Sequence, residues 1–197
     1  MFFLFKPSNK KINKINALQS SRLPFSYNET GATKDRNAPK SYPINHFRKE
    51  LDKGRETYKI AMGALCSWQM YALDWTQVFP SNVPIKKGEI VAVLANHLGI
   101  WSLNPCRIVY VIDEENEQFQ RFGFAIGTLP AHSEKGEEQF LIERNKETDA
   151  IFYKLHAFAK PENWLAKIGS PFVSYIQKRF AAESYEAIRK AVVQRQK

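Results

Sequence analysis

The chain has 197 residues, of which 44% are hydrophobic and 25% charged, and these are the proportions of an ordinary globular protein rather than of a disordered or collagen-like one. Its net charge of +9 is uneven, because residues 1–60 carry a balance of +8 and residues 161–197 one of +4, whereas residues 61–160 carry −3. Two cysteines exclude a disulfide framework, and no apolar run approaches the roughly 18 residues of a membrane-spanning helix.

The domain organisation follows from this length and composition. We expect one domain over residues 1–197, with an N-terminal helix and loop over 1–41 and a main body over 42–197. The cysteine usage favours a reducing, cytoplasmic setting. The apolar residues Phe2–Phe5 precede Lys6, which is the reverse of the order in a secretory signal, so we expect a short strand or arm packed on the core, with a membrane-surface foot as the alternative.

The N-terminal quarter of the chain predicts a helix, a loop and a strand. Ser8 is placed to cap a helix whose apolar stripe is Ile12, Ile15 and Leu18. Residues 22–41 are rich in turn formers and predict a loop that carries Tyr27 and Gly31. A first strand is expected over 42–51. After a break at Asp52–Gly54 the sequence predicts a helix ending near Trp68, with one apolar face: Tyr58, Ala61, Met62 and Leu65, beside which Cys66 is expected to be buried.

The middle of the chain has the composition of strands. Six segments are rich in β-branched and aromatic residues and are separated by turn formers: Met70–Phe79, Gly88–Leu98, Asn104–Asp113, Phe119–Thr128, Glu137–Asn145 and Ala150–Ala159. The connections are too short for crossover helices, so these strands must be mostly antiparallel.

A long helix closes the chain. Ser170-Pro171 is a typical helix start, and apolar residues then recur in steps of four or eight: Phe172, Ile176, Phe180, Ile188 and Val192. A sheet of six or seven strands needs a cover for one face, and this helix is the longest element. The fold class is therefore α+β, a single curved, mostly antiparallel sheet gripping a long C-terminal helix. That order resembles the helix-grip arrangement of START and Bet v 1-like proteins, which commonly encloses an apolar cavity.

One stretch carries a family resemblance. Residues 127–140, GTLPAHSEKGEEQF, resemble the signature GTLPGHPE-x-GEE-x-F of the uncharacterised family known as domain of unknown function nineteen-ninety. Further matches run along essentially the whole chain: Phe2–Leu4, Pro7-Ser8, Pro24–Tyr27, Gly31–Thr33, Ala64-Leu65, Trp68, Asn104–Tyr110, Arg121–Phe124, Phe158 and Pro161. The departures are Ala131 and Ser133, where the family has Gly and Pro, and they indicate a different loop backbone. The resemblance implies a fold and a set of residues of interest, and it implies no reaction.

The densest polar cluster lies in that stretch. His132 with Glu134 or Glu138 could serve as acid and base, because imidazole titrates near neutral pH and a carboxylate can orient it. If Glu138 begins a strand, it shares a face with Phe140 and Glu137 takes the other, so one glutamate would point into the cavity. The alternative is a tight hairpin whose polar side chains satisfy the loop backbone.

The remaining polar candidates are weaker. Arg107 lies within an apolar strand, so we expect it either to pair with Glu137 or Glu138 or to face solvent. His132 and Glu134 could ligate a metal, and His97 could reach the same end of the sheet, but the spacing is poor; we expect no metal and no cofactor. Cys106 has no histidine placed to activate it.

Aromatic residues are interleaved with the predicted strands, and core packing or cavity lining explains them better than nucleic-acid binding does: Trp68, Trp75, Trp101, Trp164, Tyr27, Tyr71, Tyr110 and Tyr153. We take five residues as candidates for contact with a ligand: Arg107, Tyr110, Trp101, Thr128 and Tyr27.

Three functions fit the sequence. The first is a module that binds a small hydrophobic or amphipathic ligand, lipids included, under the C-terminal helix. The second is an enzyme of hydrolase or cyclase type on the same scaffold, using His132 with Glu134 or Glu138. The third is a basic peripheral membrane or polyanion-binding protein that uses Phe2, Phe3, Phe5 and the lysines that follow.

Overall fold

The helices and strands follow the order predicted from the sequence. The computed structural model describes residues 1–18, 23–35, 39–162 and 170–195. The α-helices of this described part are α1 (Asn9–Leu18), α2 (Arg55–Cys66) and α3 (Ser170–Arg195). The strands are β1 (Phe2–Phe3), β2 (Ile44–Lys53), β3 (Thr76–Phe79), β4 (Ile90–His97), β5 (Ile100–Glu115), β6 (Phe119–Thr128), β7 (Glu134–Asn145) and β8 (Ala150–Pro161).

All described strands belong to one antiparallel sheet. Its order is β2-β8-β7-β6-β5-β4-β3, and β1 pairs with β5, where Phe2 lies opposite Ser102. Strands β3 to β8 are consecutive neighbours because each connection is a hairpin or short loop. The predicted short N-terminal strand and the predicted antiparallel sheet are both confirmed.

The concave face of the sheet holds the main core. Alternate residues of each strand point to this face, where α2, α3 and a 3₁₀ turn (Gln69–Tyr71) cover them. Phe140 of β7 contacts both Phe124 of β6 and Phe180 of α3. The sheet therefore grips the C-terminal helix as predicted, and α2 shares the covering role.

The N-terminal segment covers the convex face. Helix α1 begins after Ser8, whose Oγ accepts a hydrogen bond from the Lys11 N–H at 3.4 Å, and it buries Ile12 and Ile15 against β4 and β5. Residues 23–35 lie farther along the same face, where the Tyr27 ring packs on Phe158. Both faces of the sheet are thus covered by protein.

Three expectations need correction or lie outside the described residues. The segment Met70–Phe79 is not one strand, because Trp68 has a positive φ of 58° and begins the 3₁₀ turn, which leaves only β3 extended. Cys66 is exposed at the end of α2 rather than buried. Trp164 falls within 163–169, outside the described residues.

Candidate functional site

A pocket of about 450 Å³ lies between the concave face of the sheet and the N-terminal half of α3. Helix α3 contributes Ile176, Gln177 and Phe180 to its wall. Apolar side chains from the sheet and the 3₁₀ turn make up most of the rest: Tyr71, Trp75, Val93, Ala95, Cys106, Ile126 and Ala157. The wall becomes polar towards the β6–β7 loop, and this end of the pocket is the candidate site.

Strand β7 delivers two carboxyl groups to this polar end. Glu134 and Glu138 line the pocket, since residues of equal parity on a strand share a face. Phe140 continues the same face into the core, whereas Glu137 and Gln139 point to the convex side, where they meet Tyr27 and Tyr110. The predicted separation of Glu137 from Glu138 is therefore present.

Glu138 occupies an apolar environment with one hydrogen-bond donor. The Tyr71 hydroxyl donates to its Oε2 at 3.0 Å. Burial raises the pKa of Glu138 to about 8; the Tyr71 hydrogen bond opposes the shift, and the nearby Glu134 carboxylate adds to it. Glu138 is therefore largely protonated at neutral pH, and it titrates within the physiological range.

Glu134 bridges the sheet and the long helix. Its Oε1 accepts a hydrogen bond from Gln177 Nε2 at 3.0 Å. Burial raises the pKa of Glu134, and the Gln177 hydrogen bond partly offsets that effect. The contact ties the wall formed by β7 to the wall formed by α3.

His132 is a neutral hydrogen-bonding group in this structure. Its Nδ1 accepts a hydrogen bond from the Glu134 N–H at 2.8 Å, which leaves the ring proton on Nε2. Burial lowers the pKa of His132 to about 3, so the ring stays uncharged at neutral pH. His132 can donate from Nε2, but it is a weak base.

The two departures from the family signature, Ala131 and Ser133, lie in the β6–β7 loop and differ in their effect. Ala131 has a φ of +74°, a conformation that glycine adopts without strain and an L-residue does not. Ser133 donates from its Oγ to Asn104 Oδ1 at 2.8 Å, and its N–H reaches the same oxygen at 3.3 Å. A proline at position 133 could make neither contact, so this loop is fastened to β5 in a way that the family signature does not require.

The charge of the pocket is one-sided. Among the described residues that line it there are three glutamates, of which Glu134 and Glu138 face the pocket and Glu137 turns its carboxylate to Tyr27 on the convex face, but no lysine or arginine. His97, also in the wall, packs on Trp75 with ring centroids 4.9 Å apart, and burial lowers its pKa. The wall therefore offers carboxyl groups and neutral donors against an apolar background, although the protein as a whole is basic.

The residues predicted to contact a ligand are divided between the two faces. Thr128 lines the pocket, where its Oγ1 accepts the Gly136 N–H at 3.0 Å. The other four lie on the convex face and cannot touch a molecule held in this pocket: Tyr27, Trp101, Arg107 and Tyr110. The exposed-strand interpretation of Arg107 is wrong, because the side chain is buried with its guanidinium 4.2 Å from the centroid of the Phe25 ring, and Glu138 lies on the opposite face of the sheet from it.

Glu137 fastens the N-terminal loop to the convex face. Its carboxylate accepts hydrogen bonds from the Tyr27 hydroxyl at 2.6 Å, from the N–H groups of Gly31 (2.7 Å) and Thr33 (3.0 Å), and from the Thr33 hydroxyl. Its side chain is buried. The signature stretch therefore serves two purposes, with Glu137 holding the fold together and Glu138 facing the pocket.

Two hydrogen-bond partners of the pocket glutamates were not predicted from the sequence: Tyr71, which bonds Glu138, and Gln177, which bonds Glu134. Tyr71 was assigned to a strand, and the 3₁₀ turn that points it at Glu138 has no periodic signal. Gln177 follows Ile176 on the apolar stripe of α3, and a polar residue beside a buried stripe was the available signal. Cys106 lies in the wall, where burial raises the pKa of its thiol and leaves it a poor nucleophile.

Within residues 1–18, 23–35, 39–162 and 170–195, His, Cys, Asp and Glu side chains form no group of three or more that could hold a metal ion. No helix in the same part of the chain is long and apolar enough to cross a membrane.

Two comparisons with known proteins, by family model and by sequence relative, extend over most of this chain. The family model described as Domain of unknown function (DUF1990) matches residues 26–187. A UPF0548 protein of Dictyostelium discoideum is 32% identical over 209 aligned positions, which cover 98% of this chain and 96% of the relative. The likeness therefore extends along the whole chain.

Solved structures are similar in fold alone. The hypothetical protein jhp0584 of Helicobacter pylori aligns with a TM-score of 0.52 at 8% identity, covering 85% of this chain and 95% of its own. Human STARD10 aligns with a TM-score of 0.47 at 9% identity, covering 97% and 83%.

Proposed function

The chain belongs to the DUF1990 family, and we propose that it binds a small, largely apolar ligand with an uncharged or basic polar group in the pocket beneath α3. The observation that carries the proposal is the pocket itself, with apolar walls and two carboxyl groups at one end. Its volume of about 450 Å³ falls within the range of roughly 300–1,000 Å³ typical of small-molecule sites.

The polar end supports a particular ligand chemistry. A basic amine would pair with the Glu138 carboxylate, and a hydroxyl or amide would share a neutral hydrogen bond with the protonated acid. A carboxylate or phosphate would instead enter beside Glu134 and Glu138, with no lysine or arginine among the described lining residues to pair with it. The Glu134 carboxylate repels an anion in these apolar surroundings, and the protonated Glu138 brings no positive charge to pair with it, so anionic ligands are disfavoured.

A set of matched ligands tests this preference. Nile red, an uncharged dye that fluoresces in apolar surroundings, reports occupation of the pocket at pH 7. Decylamine, decanol and decanoate share one chain and differ only in the head group. We expect the amine and the alcohol to displace the dye, and decanoate to do so at least about tenfold more weakly, which corresponds to about 1.4 kcal/mol.

The Glu138→Gln variant is the control for the role of the carboxyl group. It keeps the size of the side chain and an oxygen for the Tyr71 hydroxyl but cannot ionise. We expect it to lose the preference for decylamine over decanol while binding decanol as well as the native protein does. Dye that fails to bind contradicts a ligand pocket, and displacement by decanoate as strong as by decylamine contradicts the assigned ligand chemistry.

A second candidate function is acid–base catalysis in the same pocket. The observation that favours it is Glu138, a carboxyl group with a pKa of about 8 that faces an accessible cavity. In this case Glu138 transfers the proton and His132 donates a hydrogen bond from Nε2, since the ring is too weak a base to accept a proton at neutral pH.

Hydrolysis of an uncharged ester such as p-nitrophenyl butyrate tests the catalytic alternative. Turnover that changes with pH near 8 and is lost in Glu138→Gln supports catalysis by this carboxyl group. Turnover equal in the native protein and the variant assigns the activity elsewhere and leaves binding as the function of the pocket.

A further inference from the structure

An exposed apolar surface lies on one side of the pocket mouth. It consists of Phe2, Leu4 and Phe5 from the N-terminal segment and of Leu98 and Ile100 at the β4–β5 hairpin; all five side chains are exposed, Phe5 to 83% and Leu98 to 91%. We call these five residues the apolar rim. Monomeric proteins seldom leave so many large apolar side chains together in water, and such patches mark interaction sites.

The fold brings the two halves of the apolar rim together. Strand β1 pairs with β5 so that Phe2 lies opposite Ser102 and Phe3 opposite Trp101, and the chain then continues towards the hairpin tip. Lys6 stays beside this tip, with its ammonium 5.3 Å from the centroid of the Trp101 ring. Phe2, Leu98 and Ile100 also line the pocket, so the rim and the mouth are one surface.

The hairpin tip is built against local preference. Leu98 and Gly99 both have positive φ, 53° and 83°, as in the turns for which Asn-Gly is the favoured sequence. Leucine is strained at this φ, and its side chain contributes little to the stability of the fold because it remains exposed to water. A residue that breaks the local rule and is fully exposed points to a binding role outside the fold.

Charge identifies the occupant. The first 28 residues carry no acidic side chain, and Lys6, Lys10, Lys11 and Lys14 lie exposed on the segment that follows the rim. At the far end of β5 the acidic residues are paired, Glu114 with Arg121 and Glu115 with Lys146. The segment that follows the exposed apolar side chains therefore carries positive charge with no acidic residue of its own to neutralise it.

We infer that the apolar rim inserts into the surface of an anionic lipid bilayer, with the α1 lysines against the head groups and the pocket mouth facing the membrane. Apolar side chains beside basic residues are the combination that holds proteins at such surfaces. Each lysine near an anionic surface adds attraction. The inference is separate from the ligand of the pocket, because docking is measured without one.

Vesicle sedimentation tests the docking. The full chain is mixed with phosphatidylcholine vesicles, with and without about 30% phosphatidylserine, at about 50 mM and about 500 mM NaCl. We expect it to pellet with the anionic vesicles at low salt and to be released at high salt. A chain that stays in the supernatant with anionic vesicles at low salt overturns the inference.

Variants separate docking from folding. Leu98→Asn removes the exposed leucine and places at that φ a residue that tolerates it, so the melting temperature should be equal or higher. Combined with Phe5→Ser it should weaken vesicle binding at least about tenfold. Val193→Ser is the matched control, since Val193 is also exposed but lies 17 residues beyond Ile176 on α3, about 25 Å along the helix.

Lysine variants and self-association complete the test. Lys10→Gln with Lys14→Gln should also weaken binding, by roughly tenfold at low salt. Binding by the Phe5→Ser/Leu98→Asn variant equal to that of Val193→Ser overturns the inference. The inference is also overturned if the native chain does not bind vesicles but forms a dimer in analytical ultracentrifugation, and if the Phe5→Ser/Leu98→Asn variant is monomeric. The apolar rim is then an interface between two copies of this chain.

Discussion

The adjacent residues Glu137 and Glu138 should respond oppositely to the same substitution. Glu137 lies on the convex face with its carboxylate surrounded by four donors, and Glu138 lies on the concave face with one. We expect Glu137→Gln to lower the free energy of unfolding substantially at pH 7 and Glu138→Gln to leave it unchanged or raise it.

The expected loss at Glu137 follows from which atoms meet. Oε2 accepts from the Tyr27 hydroxyl and the Gly31 N–H, and Oε1 accepts from the hydroxyl and the N–H of Thr33. Whichever oxygen becomes an amide NH₂, one fixed backbone N–H then faces another donor. A buried donor without an acceptor costs about 1–3 kcal/mol, and the surviving bonds lose their charge. The sum is about 3 kcal/mol, or roughly 6–12 °C in melting temperature for a chain of this length.

The expected result at Glu138 follows from its protonation. With a pKa of about 8 the native side chain is already mostly neutral at pH 7, so glutamine replaces an uncharged acid of the same size. The Tyr71 hydroxyl retains an oxygen to bond to. In the unfolded chain Glu138 is ionised at pH 7, so the native protein must take up a proton there on folding and the glutamine variant need not; the variant should therefore be as stable as the native protein or more stable.

Urea denaturation at pH 7, followed by tryptophan fluorescence and by circular dichroism, measures both variants against the native chain. The reasoning is refuted if Glu137→Gln is within 1 kcal/mol of native, or if the two variants lose the same free energy of unfolding. Equal losses would mean that β7 does not place the two carboxyl groups on different faces in solution.

Three further outcomes can be measured on the same material. The pKa of Glu138 is higher in the folded than in the unfolded chain, so this group makes the native protein less stable as pH rises from about 4.5 to about 8. Glutamine does not titrate, so the free energy of unfolding of Glu138→Gln minus that of the native protein should grow across this pH range. A difference that does not change with pH contradicts the pKa assigned to Glu138. Ala131→Gly should raise the free energy of unfolding by up to about 1 kcal/mol because it relieves a φ of +74°, and a loss would contradict the loop geometry. A thiol reagent should label one cysteine in the folded chain and two in urea, since Cys66 is exposed and Cys106 buried; rapid labelling of both in the folded chain would refute that burial.

Local periodicity was enough to predict most of the architecture. Helix α1 follows a serine cap and an apolar stripe, and strand β6 was predicted with its observed bounds, because caps, turns and alternation act over a few residues. Strands joined by short turns can only pair antiparallel, so the sheet followed from its connections. The opposite placement of Glu137 and Glu138 also followed from the period of two along a strand.

The identity of each face was decided by the tertiary structure. Alternation tells which residues of a strand share a face, but not which face meets the long helix and which meets the N-terminal segment. Tyr27, Trp101, Arg107 and Tyr110 therefore could not be separated in advance from residues that line the pocket. Tyr71 reaches Glu138 across 67 positions of sequence through an aperiodic 3₁₀ turn, a contact that only the packing of distant segments creates.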